Sequence, residues 1–140
     1  MKVIFLDLDG VLVLKKDEDI ETFDHDCCSC LREIIIQTRC KLVLSSTWRL
    51  FPSDVRRMFC MLKAYGITPQ DFLGKTPLRD RRDEEIEAFL KKHTAIEQYI
   101  ILDDSESEFE GRFFDRLILT QSTRGITPQI MSECIEKLNR

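Results

Sequence analysis

Four short apolar runs punctuate this chain, at residues 3–6, 41–44, 99–102 and 116–119. Each is too short for a helix and is bounded by polar residues, so each reads as a strand buried on both faces. Between them the pattern changes period. Residues 27–38 place Cys27, Leu31, Ile34 and Ile35 at helical spacing. Residues 53–65 predict a helix with Pro52 in its first turn, and 82–93 a helix with Ile86, Phe89 and Leu90 inward. Residues 127–138 close the chain as a helix. Residues 66–81, with Gly66, Pro69, Gly74 and Pro77, read as an irregular loop. Residues 11–14 are apolar and give way to a charged stretch at 15–19 that reads as an exposed hairpin or loop.

Buried strands alternating with helices predict an α/β fold: a three-layer, Rossmann-like arrangement around a mainly parallel sheet with right-handed crossovers. The pentapeptide Gly-Ile-Thr-Pro-Gln occurs at 66–70 and again at 125–129. The flanking residues do not match, so the repetition reads as shared capping chemistry, a threonine N-cap followed by proline, and not as duplication.

At 140 residues the chain has the size of one domain, with a real core and no room for a large second unit. A net charge of −4 argues against a surface that binds nucleic acid or membrane all over, while leaving room for a local basic patch. No apolar stretch approaches the roughly 18 residues of a membrane helix. The first apolar run ends after four residues at Asp7, unlike a signal peptide, and the chain reads as cytoplasmic. Six cysteines include a C-x-x-C spacing at Cys27 and Cys30, which can hold zinc or form a redox pair. No second such pair or histidine pair follows, and the segment has helical periodicity, so these read as ordinary thiols in a reducing compartment.

The polar residues that end the strands are the informative ones. Asp7 and Asp9 follow the first run, Ser45 and Ser46 the second, Asp103 and Asp104 the third, Thr120 the fourth. Parallel sheets bind ligands beyond the carboxyl ends of their strands, so these residues converge on one sheet edge. Asp7 and Asp9 point the same way if strand geometry persists to them. Adjacent carboxylates are stable when a cation sits between them or when one carries a proton. The first arrangement is a magnesium site, the second a general acid.

The strand leading into Asp7-Leu8-Asp9-Gly10-Val11-Leu12 resembles the first motif of the haloacid dehalogenase-like (HAD) superfamily. Val43-Leu44-Ser45 resembles its second motif, and Ile100-Ile101-Leu102-Asp103-Asp104 its fourth. Its third motif is a basic residue near a helix start, which Arg82 fits best, with Lys75 as the rival. Ser45-Ser46-Thr47-Trp48-Arg49, Arg82-Asp83-Glu84-Glu85-Ile86, Leu119-Thr120 and Gly125-Ile126-Thr127 are similar to the small HAD domains fused to RNA-repair proteins.

The resemblance implies a Mg²⁺-dependent phosphatase that works through an aspartyl-phosphate. Asp7 is then the nucleophile and Asp9 the general acid and base. Ser45 hydrogen-bonds a phosphoryl oxygen, and Arg82 neutralises charge and holds Asp7. Asp7, Asp9 (through the Leu8–Asp9 backbone carbonyls) and Asp103 or Asp104 make up the metal set. Ser46, Lys75, Trp48 and Arg49 are candidate substrate contacts. Trp48 beside Arg49 offers a surface that stacks on a base or ring, with plain packing of Trp48 as the other reading.

Neither gap where such proteins insert a cap, 14–26 or 66–81, is long or apolar enough to fold as one. An open site suits a bulky phosphorylated substrate, a nucleic-acid end or a phosphoprotein, gripped by a rim of Arg49, Arg56, Arg57, Lys75, Arg79, Arg81 and Arg82. A small metabolite is the substrate if a neighbouring subunit supplies a lid. The contrasting class is a silent module that binds phosphorylated ligands or a protein partner without turnover.

Overall fold

A computed structural model describes residues 1–15 and 22–140. Its centre is an all-parallel sheet of five strands in the order β3-β2-β1-β4-β5. The strands are β1 (Lys2–Leu6), β2 (Lys41–Leu44), β3 (Phe72–Lys75), β4 (Gln98–Asp103) and β5 (Leu117–Leu119). The helices are α1 (His25–Thr38), α2 (Pro52–Lys63), α3 (Arg82–Lys92) and α4 (Pro128–Leu138).

Strand alternation sorts the core into two layers. Ile4, Leu6, Leu42, Leu44, Ile100 and Leu102 face α1, α2 and α4. Val3, Phe5, Val43 and Ile101 face the other way, onto Ile86 and Phe89 of α3 and onto Phe109 and Phe113. The chain winds outward from β1 through β2 to β3, then returns across the sheet to β4. A right-handed crossover in one direction puts its helix on one face, and the reversed crossover puts α3 on the opposite face. The reversal makes β1, flanked by β2 and β4, the switch point at which such sheets open a crevice.

β3 lies inside the segment that reads as a loop, and the sheet therefore has one strand more than the hydrophobic runs indicate. Phe-Leu-Gly-Lys is a short edge strand with half-buried side chains and a register irregularity opposite Leu42/Val43, so it carries no apolar signature. Of the charged stretch 15–19, only Lys15 belongs to the described residues, and its amide donates to the Ser122 carbonyl. Among the described residues no cap-like unit stands between β1 and α1 or between α2 and α3. The repeated pentapeptide caps in both places: Thr127 Oγ1 accepts from the Ile130 amide at the start of α4, and Thr68 precedes a 3₁₀ turn at Pro69–Asp71. No helix among the described residues is long and apolar enough to cross a membrane.

Candidate active site

β1 ends at Leu6, and Asp7 follows with its backbone still in the sheet, its amide donating to the Leu102 carbonyl at 3.0 Å. Beyond Asp7 the chain leaves the sheet. The amides of Val11, Leu12 and Val13 all donate to the Leu8 carbonyl, which closes a tight loop. Strand alternation therefore does not carry through to Asp9. Asp7 turns inward, with Oδ1 accepting from the Leu8 amide at 2.9 Å, while Asp9 is exposed.

The partners of Asp7 are the acids at the end of β4. Ligand atoms of Asp7, Asp103 and Asp104 lie within 4.8 Å of one another, and the first two residues are buried. The carboxylate of Asp9 is not in this cluster, which corrects the expectation of a cation held between the Asp7 and Asp9 side chains. Arg82, the first residue of α3, answers the negative charge. Its Nη1 donates to both oxygens of Asp103, at 2.9 and 2.8 Å, and lies 3.7 Å from Asp7 Oδ2. Burial, with the Asp103 charge as the second cause, pushes Asp7 up to about 8, against the opposing pull of Arg82. Burial raises Asp103 as well, and the neighbouring acids hold Arg82 firmly protonated.

Three converging carboxyls with one guanidinium leave negative charge uncompensated in a desolvated place. An all-oxygen set of this kind fits a hard divalent cation such as Mg²⁺. The cluster also depends on a missing side chain. Gly10 has φ +80°, and a Cβ there would stand 2.1 Å from Asp104 Oδ2. Glycine is required both by the left-handed backbone and by the close approach of Asp104. Thr120, at the end of β5, fixes the same loop by donating from Oγ1 to the Gly10 carbonyl at 2.7 Å.

Ser45 follows β2, beside β1, with its amide on the Leu6 carbonyl at 2.9 Å. Its hydroxyl is buried and has no hydrogen-bond partner among the described residues, and the same holds for that of Thr76 beyond β3. Buried polar groups are ordinarily satisfied, so an unspent donor next to the Asp7 strand calls for a reason.

Ser46, Trp48 and Arg49, which follow Ser45, are buried. Ser46 is the N-cap of a 3₁₀ turn, Thr47–Leu50, and its hydroxyl accepts from the Trp48 amide at 3.2 Å. Trp48 is only 4% exposed, with Phe23 packed edge-on at 5.5 Å and the Arg57 guanidinium 4.6 Å from its ring centroid. Its indole N–H donates outward to Asp9, 3.3 and 3.4 Å from the two oxygens. Arg49 is equally buried. Its guanidinium donates to the carbonyls of Thr76 and Ser46 at 2.9 Å each, and it pairs with Glu85 of α3 at 2.5 Å. Ser46, Trp48 and Arg49 thus form the wall of the site; the sequence offered them as substrate contacts, with plain packing as the second reading of Trp48, and its burial agrees with the packing. The cap at Ser46 is what directs these side chains inward.

Lys75 is exposed at the end of the edge strand β3, whereas Arg82 stands against the acid cluster. Glu85 is the residue that sequence reasoning missed. It lies in a run of acids at the start of α3 that reads as a solvated face, and only its burial against Arg49 sets it apart. The C-x-x-C thiols lie elsewhere. Burial, aided by Asp24, pushes Cys27 up to about 12, and burial raises Cys30 as well, which favours the protonated thiol at both.

No curated protein matches this chain. One family model does, described as the HAD domain in Swiss Army Knife RNA repair proteins, and it spans residues 3–130 of the 140. Its span runs from β1 into the first turn of α4 and so takes in every strand end described above. With nearly the whole fold inside that match, the chain belongs to the HAD domains of this RNA-repair family.

Proposed function

We propose that this domain is a Mg²⁺-dependent phosphatase that removes phosphate from a monoester through an aspartyl-phosphate on Asp7. The observation that carries the reading is the acid cluster at the switch point, with Asp7 between Asp103, Asp104 and Arg82. Asp7, Asp103 and Asp104 would hold the ion, which when bound offsets the repulsion between a carboxylate and an incoming phosphate.

The chain's own residues account for the rest. A carboxylate oxygen of Asp7 attacks phosphorus and forms the acyl-phosphate bond. The bond from phosphorus to the ester oxygen breaks, and that oxygen leaves with a proton from Asp9. Asp9, now ionised, takes a proton from water as the water attacks phosphorus. The acyl-phosphate bond then breaks and the Asp7 carboxylate returns. Arg82 favours the ionised form of Asp7 and neutralises phosphoryl charge, and the unspent Ser45 hydroxyl supplies a donor to a phosphoryl oxygen.

An RNA end is the substrate this reading favours. The described residues include no cap over the strand ends, and the family's description ties the domain to RNA repair, which sets a nucleic-acid end ahead of a phosphoprotein. A cleft beside Arg82, lined by Thr47, Leu50, Leu78 and Arg79 together with Asp80, Arg81 and Glu108, offers apolar contacts and charge of both signs. Exposed Lys75 and Arg79 supply the rim charge; Arg49, spent on Glu85, does not, and Arg56 lines a separate cleft with Phe59 and Lys63.

Hydrolysis of an aryl phosphate with and without Mg²⁺, by the parent and by Asp7→Asn, tests the chemistry. Turnover confined to the parent with Mg²⁺ supports it. No turnover by the parent between about pH 5 and 8, where one carboxyl must be ionised and another protonated, leaves a binding module. Comparison of 3′- and 5′-phosphorylated oligonucleotides with phosphopeptides then tests the substrate class.

A further inference from the structure

Asp9 is exposed and stands at the start of a turn, where the orientation of a short acidic side chain depends on the partners it meets. The indole of Trp48 restrains it. Its Nε1 lies 3.3 Å from one Asp9 oxygen and 3.4 Å from the other, so the N–H straddles the carboxylate. The indole itself is pinned on every side that matters: by the Ser46 cap on its backbone, the edge of Phe23 and the guanidinium of Arg57. An indole N–H donates and neither accepts nor transfers a proton under these conditions, so at a carboxyl it orients the group and favours its ionised form, the one that takes up a proton from water.

We infer that Trp48 is a positioning residue for Asp9, holding the carboxyl in the orientation from which its proton reaches the leaving oxygen. The inference rests on the phosphatase reading above and adds a residue that serves the departure of the leaving group and not the capture of phosphate. The physical basis is orientation: a donor held in place ahead of the reaction needs no search when the ester bond breaks. Protonation matters most when the departing alkoxide is a strong base and little when it is stable by itself.

The test is the leaving-group dependence of kcat/KM, which reports the step that expels the ester oxygen, for Trp48→Phe, which removes the N–H and keeps an aromatic ring against Phe23. With 4-nitrophenyl phosphate the variant stays within about threefold of the parent. With phenyl phosphate and then an alkyl phosphate the loss grows to about 10- to 100-fold, part of the 10²–10⁴ that a general acid supplies. Asp9→Asn gives the same trend at greater depth. A loss equal for all three esters, or no loss, overturns the inference. If kcat/KM of Asp9→Asn, which excludes the later step in which Asp9 acts as base, falls equally on all three, the acid assignment falls and the inference with it. A parent without turnover on any ester sinks the phosphatase reading itself, which separates that failure from the failure of the Trp48 role.

A second measurement needs neither activity nor a tryptophan variant. The chain has a single tryptophan, hence one indole N–H resonance in a ¹⁵N-correlated spectrum. Asp9→Asn should move that resonance, and Asp9→Ala should move it further. An indole signal untouched by both variants overturns the contact.

Discussion

Arg82 donates from Nη1 to both carboxylate oxygens of Asp103, at 2.9 and 2.8 Å, and the same nitrogen lies 3.7 Å from Asp7. One cation thus serves two buried acids on adjacent strands. It joins the start of α3 to the ends of β1 and β4, at least 21 residues from it along the chain.

Removal of that cation should be costly. In Arg82→Met, Asp103 and Asp7 keep their burial and lose their counter-charge. Breaking a buried pair from one side costs about 3–5 kcal/mol, and the partial exposure of Arg82 places the expected loss near the lower end. Denaturant unfolding without divalent ions measures it, and Mg²⁺ should restore part of the loss because it replaces the missing positive charge. A variant as stable as the parent would mean that the pair holds nothing together.

Asp7 gives the metal-free protein a definite pH dependence. Its ordinary value is 3.8 and its value in the fold about 8, so between these limits the folded state keeps a proton that the unfolded chain has released. Stability then falls as pH rises through this window, and Asp103, shifted the same way, adds to the fall. Binding of Mg²⁺ must expel the Asp7 proton, so its affinity should rise towards about pH 8 and level beyond. Melting curves in a chelator and in excess Mg²⁺, taken across that window, should diverge with rising pH. The chelator curve should lose this slope in Asp7→Asn, and parallel curves would contradict the assignment of Asp7 as the protonated ligand.

Gly10→Ala tests how closely the loop must approach Asp104. A left-handed backbone costs a residue with a Cβ roughly 1–2 kcal/mol. The added carbon also meets Asp104 2.1 Å from Oδ2, and displacement of that carboxyl should weaken Mg²⁺ by about 10–100-fold, the range seen when a ligand loses its support. Calorimetric titration of Mg²⁺ reads the second effect separately from the melting temperature. Unchanged Mg²⁺ affinity would show that Asp104 is not part of the ion's site.

The Arg49–Glu85 pair should behave as a brace. It ties the turn after Ser45, and the Thr76 carbonyl, to the helix that carries Arg82. Glu85→Met leaves Arg49 buried and charged, and Arg49→Met leaves Glu85 so. Each should destabilise by about 3–5 kcal/mol, while the double variant Arg49→Met, Glu85→Met recovers much of the loss because no buried charge remains unpaired. Additive losses in this cycle, followed by urea unfolding, would show that the two residues do not act as a pair.

What the sequence determined by itself was the frame and the ends of its strands. The runs that form β1, β2 and β4 are apolar without interruption because both their faces are covered, and a strand leads directly to the residue that follows it. Asp7, Ser45, Asp103 and Asp104 were legible for that reason, as was the family their motifs resemble. The tertiary structure alone decided which neighbours those residues meet. Asp9 leaves the line of Asp7 because the chain turns at Leu8. Trp48 and Arg49 point inward because Ser46 caps a 3₁₀ turn, and Arg82 outranks Lys75 because the return crossover brings the start of α3 over β1 and β4. The edge strand β3 and the partner of Glu85 were invisible in sequence for one shared cause. Local periodicity records how much of a segment is buried, whereas pairing across the sheet and ion pairs between distant segments depend on where the chain returns, and that is set by packing of the whole.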